Sequence, residues 1–370
     1  MRGGITGMNR KIPKILLLAF VLLQGTLAFA NNEEPSHPAN NTAHSEGQEE
    51  WNAGTMIMHH IMDAHDWHLW DWNDQPVSVP LPIIIYDEAR GLSVFSSSNF
   101  NHGHAAHEGY VLQHEKIRAV NADGTINEEA SAKIWDFSLT KNAVALLFSV
   151  ALMLLIFLSV AKKYKTNRDE APKGLQALIE PIILFVRDDV AKISIKHNHE
   201  RYMPYLLTIF FFIWINNIMG LIPIIPGGAN VTGNVAVPLV MALFTFAITM
   251  AVANKHYWQH ILWMPGVPVA IKPLMMAIEL LGVFIKPIVL VVRLFANITA
   301  GHIVILVFIS LIFIFGDNGT SNAGGLLASI PAVAFAIFLN ILEILVGAIQ
   351  AYVFTLLSAV YFGMATDDGH

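Results

Sequence analysis

The sequence predicts an all-α polytopic membrane protein with five principal transmembrane segments, the final two long and tilted. An amphipathic segment on the inner face and a small exported N-terminal extension complete the expected architecture. Three observations predict it. Of 370 residues, 54% are hydrophobic and only 14% charged, with a mean hydropathy of +0.52, a balance foreign to a soluble domain of this length. Apolar runs long enough to cross a bilayer recur between residues 142 and 364. Charge is also split along the chain. Residues 31–140 hold seventeen Asp and Glu against four Lys and Arg, whereas bases outnumber acids across 161–201. Cysteine is absent, which excludes disulfides and thiolate chemistry.

Residues 1–30 read as a secretory signal. Arg10, Lys11 and Lys14 precede the apolar run Ile15 to Leu23, and Ala28-Phe29-Ala30 supplies small residues at cleavage spacing, making Asn31 the expected mature start. An uncleaved anchor would export the following residues equally well. Residues 31–140 then form an exported, periplasmic, acidic and histidine-rich extension. Its first part, 31–55, is expected to be disordered, being rich in Glu, Asn, Ser, His and Pro. Further on, SVPLPIIIYDEARGLSVFSS predicts a strand, a turn at Arg90-Gly91 and a second strand. Ten of the sixteen histidines fall in this extension. His59, His60, His65 and His68 form one group and His102, His104 and His107 another, with Asp63, Asp66 and Glu108 beside them. Imidazole and carboxylate together suit zinc, nickel or copper. The spacings match no closed metal site, however, and ordinary polar surface or contact residues account for them too. Their ordinary titration range also suits proton buffering, which needs no designed site.

The membrane domain is expected over 141–364, with 365–370 a cytoplasmic tail. Asn142 to Val160 is the first span, and the cations of AKKYKTNR beyond it mark its inner end. Gly174 to Ile195 is apolar but broken by Glu180-Pro181 and Arg187-Asp188-Asp189, which predicts an amphipathic segment lying on the inner surface. Tyr205 to Ile222 then crosses outward, the uncharged GGANVTGNV forms an external loop, and Val235 to Val252 returns inward to Lys255. In MPGVPVAIKPLMMAIELLGVFIKP, Pro265, Pro268, Pro273 and Pro287 divide the chain into short pieces. Lys272, Glu279 and Lys286 recur every seven residues there, so they share one stripe, the wet inner edge of a tilted helix that continues into the Arg293 segment. The last two runs, Ile288 to Phe315 and Leu326 to Met364, cover roughly 42 Å and 57 Å as helices. Hydrocarbon is only about 30 Å thick, which implies strong tilt.

Those last two runs carry Arg293, Asn297 and His302, then Glu343 and Gln350. Charged residues are costly within a bilayer and usually functional. In antiparallel spans, residues of equal depth have position numbers with a constant sum. Arg293 with Gln350 gives 643 and His302 with Glu343 gives 645, so one facing pair implies the other. An imidazole and a carboxylate at equal depth can relay protons, while an arginine never releases its own. Beside an apolar surface, a fixed arginine invites a carboxylate from another subunit and holds it ionised. Individually each residue has a plain structural explanation: Glu343 as a neutralising partner for Arg293, His302 as a satisfied interfacial histidine, Asn216, Asn217 and Asn297 as helix-packing glue. A matched set of Arg, His, Glu and Gln is harder to explain that way.

RLFANITAGH at 293–302, ILEILVGAIQAYVFTLL at 341–357 and FIWINNIMGLIP at 212–223 resemble subunit a of F-type ATP synthase, the membrane stator beside a rotating c-ring. The resemblance covers roughly 135–364. Arg293 stands where the family has its essential arginine, Asn297 at a helper asparagine and Gln350 at the glutamine opposite. His302 and Glu343 fall where some members have the reverse order. The resemblance implies two offset half-channels, the outer one lined by His302 and Glu343 with Asn216 or Asn217 near its mouth, the inner one bordered by Glu279, Lys272 and Lys286. Arg293 would separate them and pair with the c-ring carboxylate. It also implies a multi-pass protein of the bacterial inner membrane that works with the c-ring, the b-subunit peripheral stalk, the rest of the synthase, lipid and protons. No cofactor and no nucleic acid are expected. ATP itself is not bound, since no Gly-rich phosphate loop is present. The competing readings are sodium coupling in the same role, an independent ion channel or secondary transporter, and a purely structural membrane anchor.

Overall fold

The computed structural model describes residues 54, 57, 61–72, 75–121, 123–166, 171–196, 198–222, 227–264, 266–316 and 322–367. The signal-like residues 1–30, nearly all of the 31–55 segment, and His59 and His60 lie outside them. The first described unit is built from short antiparallel strands. β1 (Asp66–Trp72) pairs with β2 (Gln75–Pro80), β3 (Pro82–Asp87) lies between β4 (Gly91–Ser96) and β7 (Ile134–Asp136), and β5 (Tyr110–Gln113) pairs with β6 (Lys116–Ala119). The expected strand, Arg90-Gly91 turn and strand are present as β3 and β4. Gly91 enters β4 at φ 82°, a left-handed geometry that glycine adopts without strain. The period-2 pattern of β3 sends Ile83 and Ile85 inward onto Phe100, Tyr110 and Ala119. A short helix, α1 (Glu128–Ser131), is capped by Asn127, whose side chain accepts from the Ala130 N–H.

This unit is seated on the start of the first long helix. α2 (Lys141–Thr166) begins with Asn142 N donating to Asp63 Oδ1 at 2.9 Å and Lys141 N donating to Ala64 O at 2.9 Å. Two of the backbone donors that any helix leaves orphaned at its N-terminus are thus met by the preceding unit. Trp67 belongs to the same buried apolar cluster as Ala145 and Leu146 of α2.

After α2 come α3 (Leu175–Phe185), a π-helical turn over Val186–Ala191 and a short turn over Lys192–Ser194. Pro181 sits inside α3 and does not end it, and the Arg187-Asp188-Asp189 run is taken up by the π-helical turn. α4 (His199–Leu221) forms the centre of the bundle and buries Leu206, Ile209, Phe211, Phe212 and Ile213. α5 (Ala236–Val252) turns through 102° into α6 (Lys255–Leu262). α7 (Lys272–Phe315) and α8 (Asn322–Thr366) then form a long antiparallel hairpin. Among the described residues, α2, α4, α7 and α8 are each long and apolar enough to cross a membrane, and the bent α5–α6 pair makes five.

One expectation needs correcting. Pro273 and Pro287 do not divide that stretch into short pieces, because one helix of 44 residues starts at Lys272 and, as expected, runs on through Arg293. Pro273 occupies the first turn, where no intrahelical donor is lost, and Pro287 lies within the helix. At about 66 Å, α7 is roughly twice the hydrocarbon thickness.

Small residues and hydroxyls hold the bundle. Tyr205 OH bonds Thr245 Oγ1 at 2.9 Å, and Thr245 Oγ1 bonds Ser358 Oγ at 3.2 Å, which links α4, α5 and α8. Tyr202 stacks on Phe362 with centroids 5.1 Å apart. The end of α8 closes the α5–α6 corner through Asn254 N to Ala365 O at 2.9 Å and Asn254 Nδ2 to Asp367 O at 2.8 Å.

Candidate functional site

The α7–α8 hairpin brings the polar residues of the two helices to matched depths. Its register is fixed at several points along its length. Phe308 stacks on Phe335 with centroids 5.1 Å apart and planes 11° apart. A Cβ on Gly325 would stand 3.3 Å from the Gly316 Cα, and one on Gly301 would stand 2.9 Å from Glu343 Oε1. Between them, His302 Nε2 lies 3.6 Å from Glu343 Oε1. All these pairs have position numbers summing to 641–645, as the constant-sum argument requires.

Glu343, Gly347 and Gln350 share the buried face of α8, which follows from their spacing of four and three residues. Glu343 is 6% exposed and Gln350 is 7% exposed. Neither carboxyl oxygen of Glu343 has a hydrogen-bond partner among the described residues. Gly301 and Gly220 open the space around this pair. Gly301 leaves room for the carboxyl group, and a Cβ on Gly220 would stand 3.5 Å from His302 Nε2.

Asn216 lies one turn before Gly220, hence on the same side of α4. Its Nδ2 donates to Phe212 O at 2.8 Å, and its buried Oδ1 has no partner among the described residues. Asn230 Nδ2, in the loop whose Ala229 carbonyl faces Gly220, is likewise buried and unpartnered there. Buried polar atoms of this kind normally bond to protein or to ordered water. Asn216 and Asn230 thus each leave a buried polar atom suited to hydration, on the α4 side and the loop side of the Gly220–His302 contact. Asn217 points elsewhere: its Nδ2 donates to Gly347 O at 3.2 Å and its Oδ1 accepts from Thr232 Oγ1 at 2.6 Å. It straps α4 to α8 and to the loop.

Arg293 and Asn297 occupy a different surface. Val292, Arg293, Ala296 and Asn297 are exposed, whereas Leu290, Leu294 and Ile298 face the bundle. Among the described residues Arg293 has no carboxylate within ion-pair distance and no hydrogen-bond partner. No hydrogen bond joins it to Gln350. Tyr361 of α8 lies within electrostatic reach of it. Glu279, Lys272 and Lys286 form the expected stripe, turned toward aromatic rings. Lys272 Nζ is 4.0 Å from the Trp263 ring centre, and Lys286 Nζ is 5.5 Å from that of Tyr361. Glu279 lies within electrostatic reach of Tyr257 and Lys286.

In the N-terminal unit, His65 is 3% exposed, with Nε2 at 3.4 Å from Asp136 Oδ2 and Nδ1 at 3.7 Å from Glu115 Oε2. Burial pulls its pKa down, but the hydrogen bond to Asp136 and the nearby Glu115 carboxylate prevail and raise it from 6.5 to about 9. His102 Nδ1 stands 3.0 Å from Asp66 Oδ2, and His107 Nε2 stands 3.1 Å from Asn99 Nδ2. His68 and His104 are exposed. Among the described residues no three His, Asp or Glu side chains gather as a metal-binding group.

Sequence reasoning missed the glycines at 220, 301 and 347 and the loop residues Asn230 and Thr232. For Gly301 the position sum with Glu343, 644, was a legible signal, because it sets the glycine at the depth of the acid. The loop carried none, because its contacts depend on tertiary folding.

The family described as ATP synthase A chain matches residues 143–363, and a family described only as a domain of unknown function matches 56–137. The chain is 44% identical over 237 residues to the ATP synthase subunit a of Chloroherpeton thalassium, covering 62% of this chain and 67% of that one. It is 35% identical over 364 residues to the ATP synthase subunit a 2 of Prosthecochloris aestuarii, covering 96% and 93%. It is 39% identical over 242 residues to the ATP synthase subunit a of Myxococcus xanthus, covering 64% and 75%.

Proposed function

The chain belongs to the ATP synthase A chain family, and on that premise we propose that it is the proton-translocating stator of the membrane sector, working against a rotating c-ring. The observation that carries this reading is Arg293, an exposed guanidinium on an apolar helix face with no partner among the described residues. A carboxylate carried past it by the ring would be held ionised there, because an adjacent positive charge lowers a carboxyl pKa. On either side of Arg293 the carboxylate would exchange its proton with one of two half-channels. Neutral, it could travel through lipid; charged, it could not.

The outer half-channel is assigned to His302, Glu343, Asn216 and Asn230. The imidazole–carboxylate pair at 3.6 Å can pass a proton inward, and its titratable groups favour protons over sodium. Asn217 acts on this path by positioning Gly347 and the loop. The inner half-channel is assigned to the side of α7 carrying Glu279, with Lys272 and Lys286. Asn297, one turn from Arg293 on the same face, and Gln350 flank the crossing point. Lys162, Lys163 and Lys165 at the end of α2 favour the cytoplasm for that end under the positive-inside rule, and with it the opposite side for the N-terminal unit. The chain itself performs no chemistry on ATP.

Proton flux in vesicles holding the whole complex tests this. Arg293→Ala should abolish ATP-driven acidification and open a passive leak under an imposed gradient. Coupled pumping that survived the substitution would overturn the reading. Flux that followed sodium and ignored pH would replace protons by sodium in the same role.

A further inference from the structure

The β4–β3–β7 sheet presents an apolar face to its surroundings. β3 buries Ile83 and Ile85 on one side and turns Ile84 and Tyr86 to the other. Tyr86 opposes Leu92 and Trp135, Ile84 opposes Val94, and Phe137 N donates to Ile84 O at 2.8 Å. One row of side chains thus spans three strands. Tyr86 is 46% exposed, Leu92 67%, Val94 62%, Trp135 61% and Phe137 47%. A solvated antiparallel sheet alternates apolar-in with polar-out. Here both sides are apolar, and the outer one carries no charged residue within the strands. Such a contiguous patch marks a surface that meets something other than water.

Its place in the fold says what it meets. β7 runs directly into α2, with Leu139 N donating to Pro82 O at 3.1 Å and Asp63 capping Asn142. Trp67 shares a buried cluster with Ala145 and Leu146, inside the first two turns of α2. The unit is therefore fastened to the helix end, with no slack linker between them. Counting outward from the cations Lys162 and Lys163 at the other end, about 20 residues cover about 30 Å, the hydrocarbon thickness. That sets the hydrocarbon boundary close to Lys141, only four residues beyond Phe137. The exposed apolar side of α2, including Leu147, Phe148 and Leu155, continues into the bilayer from there. Trp and Tyr are the side chains that settle at headgroup level, with an apolar body and a polar tip.

We propose that the outer face of the β4–β3–β7 sheet is a membrane-docking surface, resting in the phospholipid headgroup layer at the Lys141 end of α2. The occupant is lipid, because the patch ends four residues before a helix with a long exposed apolar side and combines aromatic with aliphatic side chains, charge entering only at its edge with Glu88 and Lys133. This inference rests on the membrane placement of α2 and is independent of the half-channel assignment.

Site-directed spin labelling of the assembled complex, reconstituted in phosphatidylcholine–phosphatidylglycerol nanodiscs, tests it. Single cysteines would be introduced as Leu92→Cys, Val94→Cys and Trp135→Cys, with Glu129→Cys as a solvent reference and Leu155→Cys as a hydrocarbon reference. Labels on the sheet face should lose collision with a water-soluble nickel chelate and gain it with oxygen, falling between the two references. Nickel access equal to that of Glu129→Cys would overturn the proposal. So would loss of access to both reagents, since that result means a protein covers the face. A failed Leu155→Cys reference would locate the error in the placement of α2 and not in the sheet.

Discussion

Gly301 lacks a side chain where the Glu343 carboxyl group lies, since a Cβ there would stand 2.9 Å from Oε1. Gly301→Ala should therefore displace the end of Glu343 from His302 without preventing assembly. Proton relay is sensitive to ångström-scale misplacement, so ATP-driven acidification of vesicles should slow by roughly an order of magnitude or more. Undiminished flux would detach the His302–Glu343 spacing from transport. His65 makes a second residue-scale prediction through its raised pKa of about 9. Its charged form is favoured by folding, so that contribution is complete below pH 6.5 and is lost as pH climbs to about 9. Asp136 behaves oppositely: although burial raises it, its bond to His65 holds it below the usual carboxylate range, and its contribution disappears in acid. Amide exchange in the N-terminal unit, corrected for intrinsic rates, should accelerate between pH 6.5 and 9. In His65→Ala that pH step should vanish, with a stability loss of about 1–2 kcal/mol from removing the partner of two partly exposed carboxylates. A step that persisted in the variant would assign it to another group.

Helix-scale features differ in how readily the sequence reveals them. The depth match of α7 and α8 was legible from residue numbers alone, because antiparallel helices of equal rise keep a constant sum. The unbroken passage of α7 through Pro287 was not, because an internal proline signals a break to any local rule while the bundle retains a single helix around it. The π-helical turn over Val186–Ala191 was equally hidden, since it has no sequence pattern of its own. Close contacts between elements also need the fold to appear. Gly363 is one: a Cβ there would stand 2.0 Å from the Ser194 backbone carbonyl oxygen, which cannot rotate aside. Gly363→Ala should push the segment after the π-helical turn off α8, costing about 1–3 kcal/mol. Thermal unfolding of the complex in detergent measures that loss, and an unchanged midpoint would mean the contact yields freely.

Across the whole molecule, composition and charge distribution were enough to establish a polytopic membrane protein, and three motifs were enough to suggest its family. The orientation of side chains was harder to read. Arg293 and Gln350 have matching depths, yet one faces outward and the other into the bundle, a rotational difference that a sum of positions cannot contain. Among the described histidines, His65 faces Asp136 and Glu115, His102 faces Asp66 and His107 faces Asn99, pairings that closeness in sequence does not foretell. The outward guanidinium has a consequence for the life of the newly made chain. A lone arginine near the bilayer centre costs about 2.5–3.5 kcal/mol on insertion scales, a penalty that the proposed ring carboxylate would relieve. Before that encounter the polypeptide is an orphan whose own helix argues against its residence in lipid, which exposes it to extraction and proteolysis. In cells lacking the ring subunit, a pulse-chase should show Arg293→Leu outliving the native chain, and equal half-lives would mean the guanidinium is sheltered without a partner. The residue proposed to gate transport would then also enforce the order in which the parts of the complex come together.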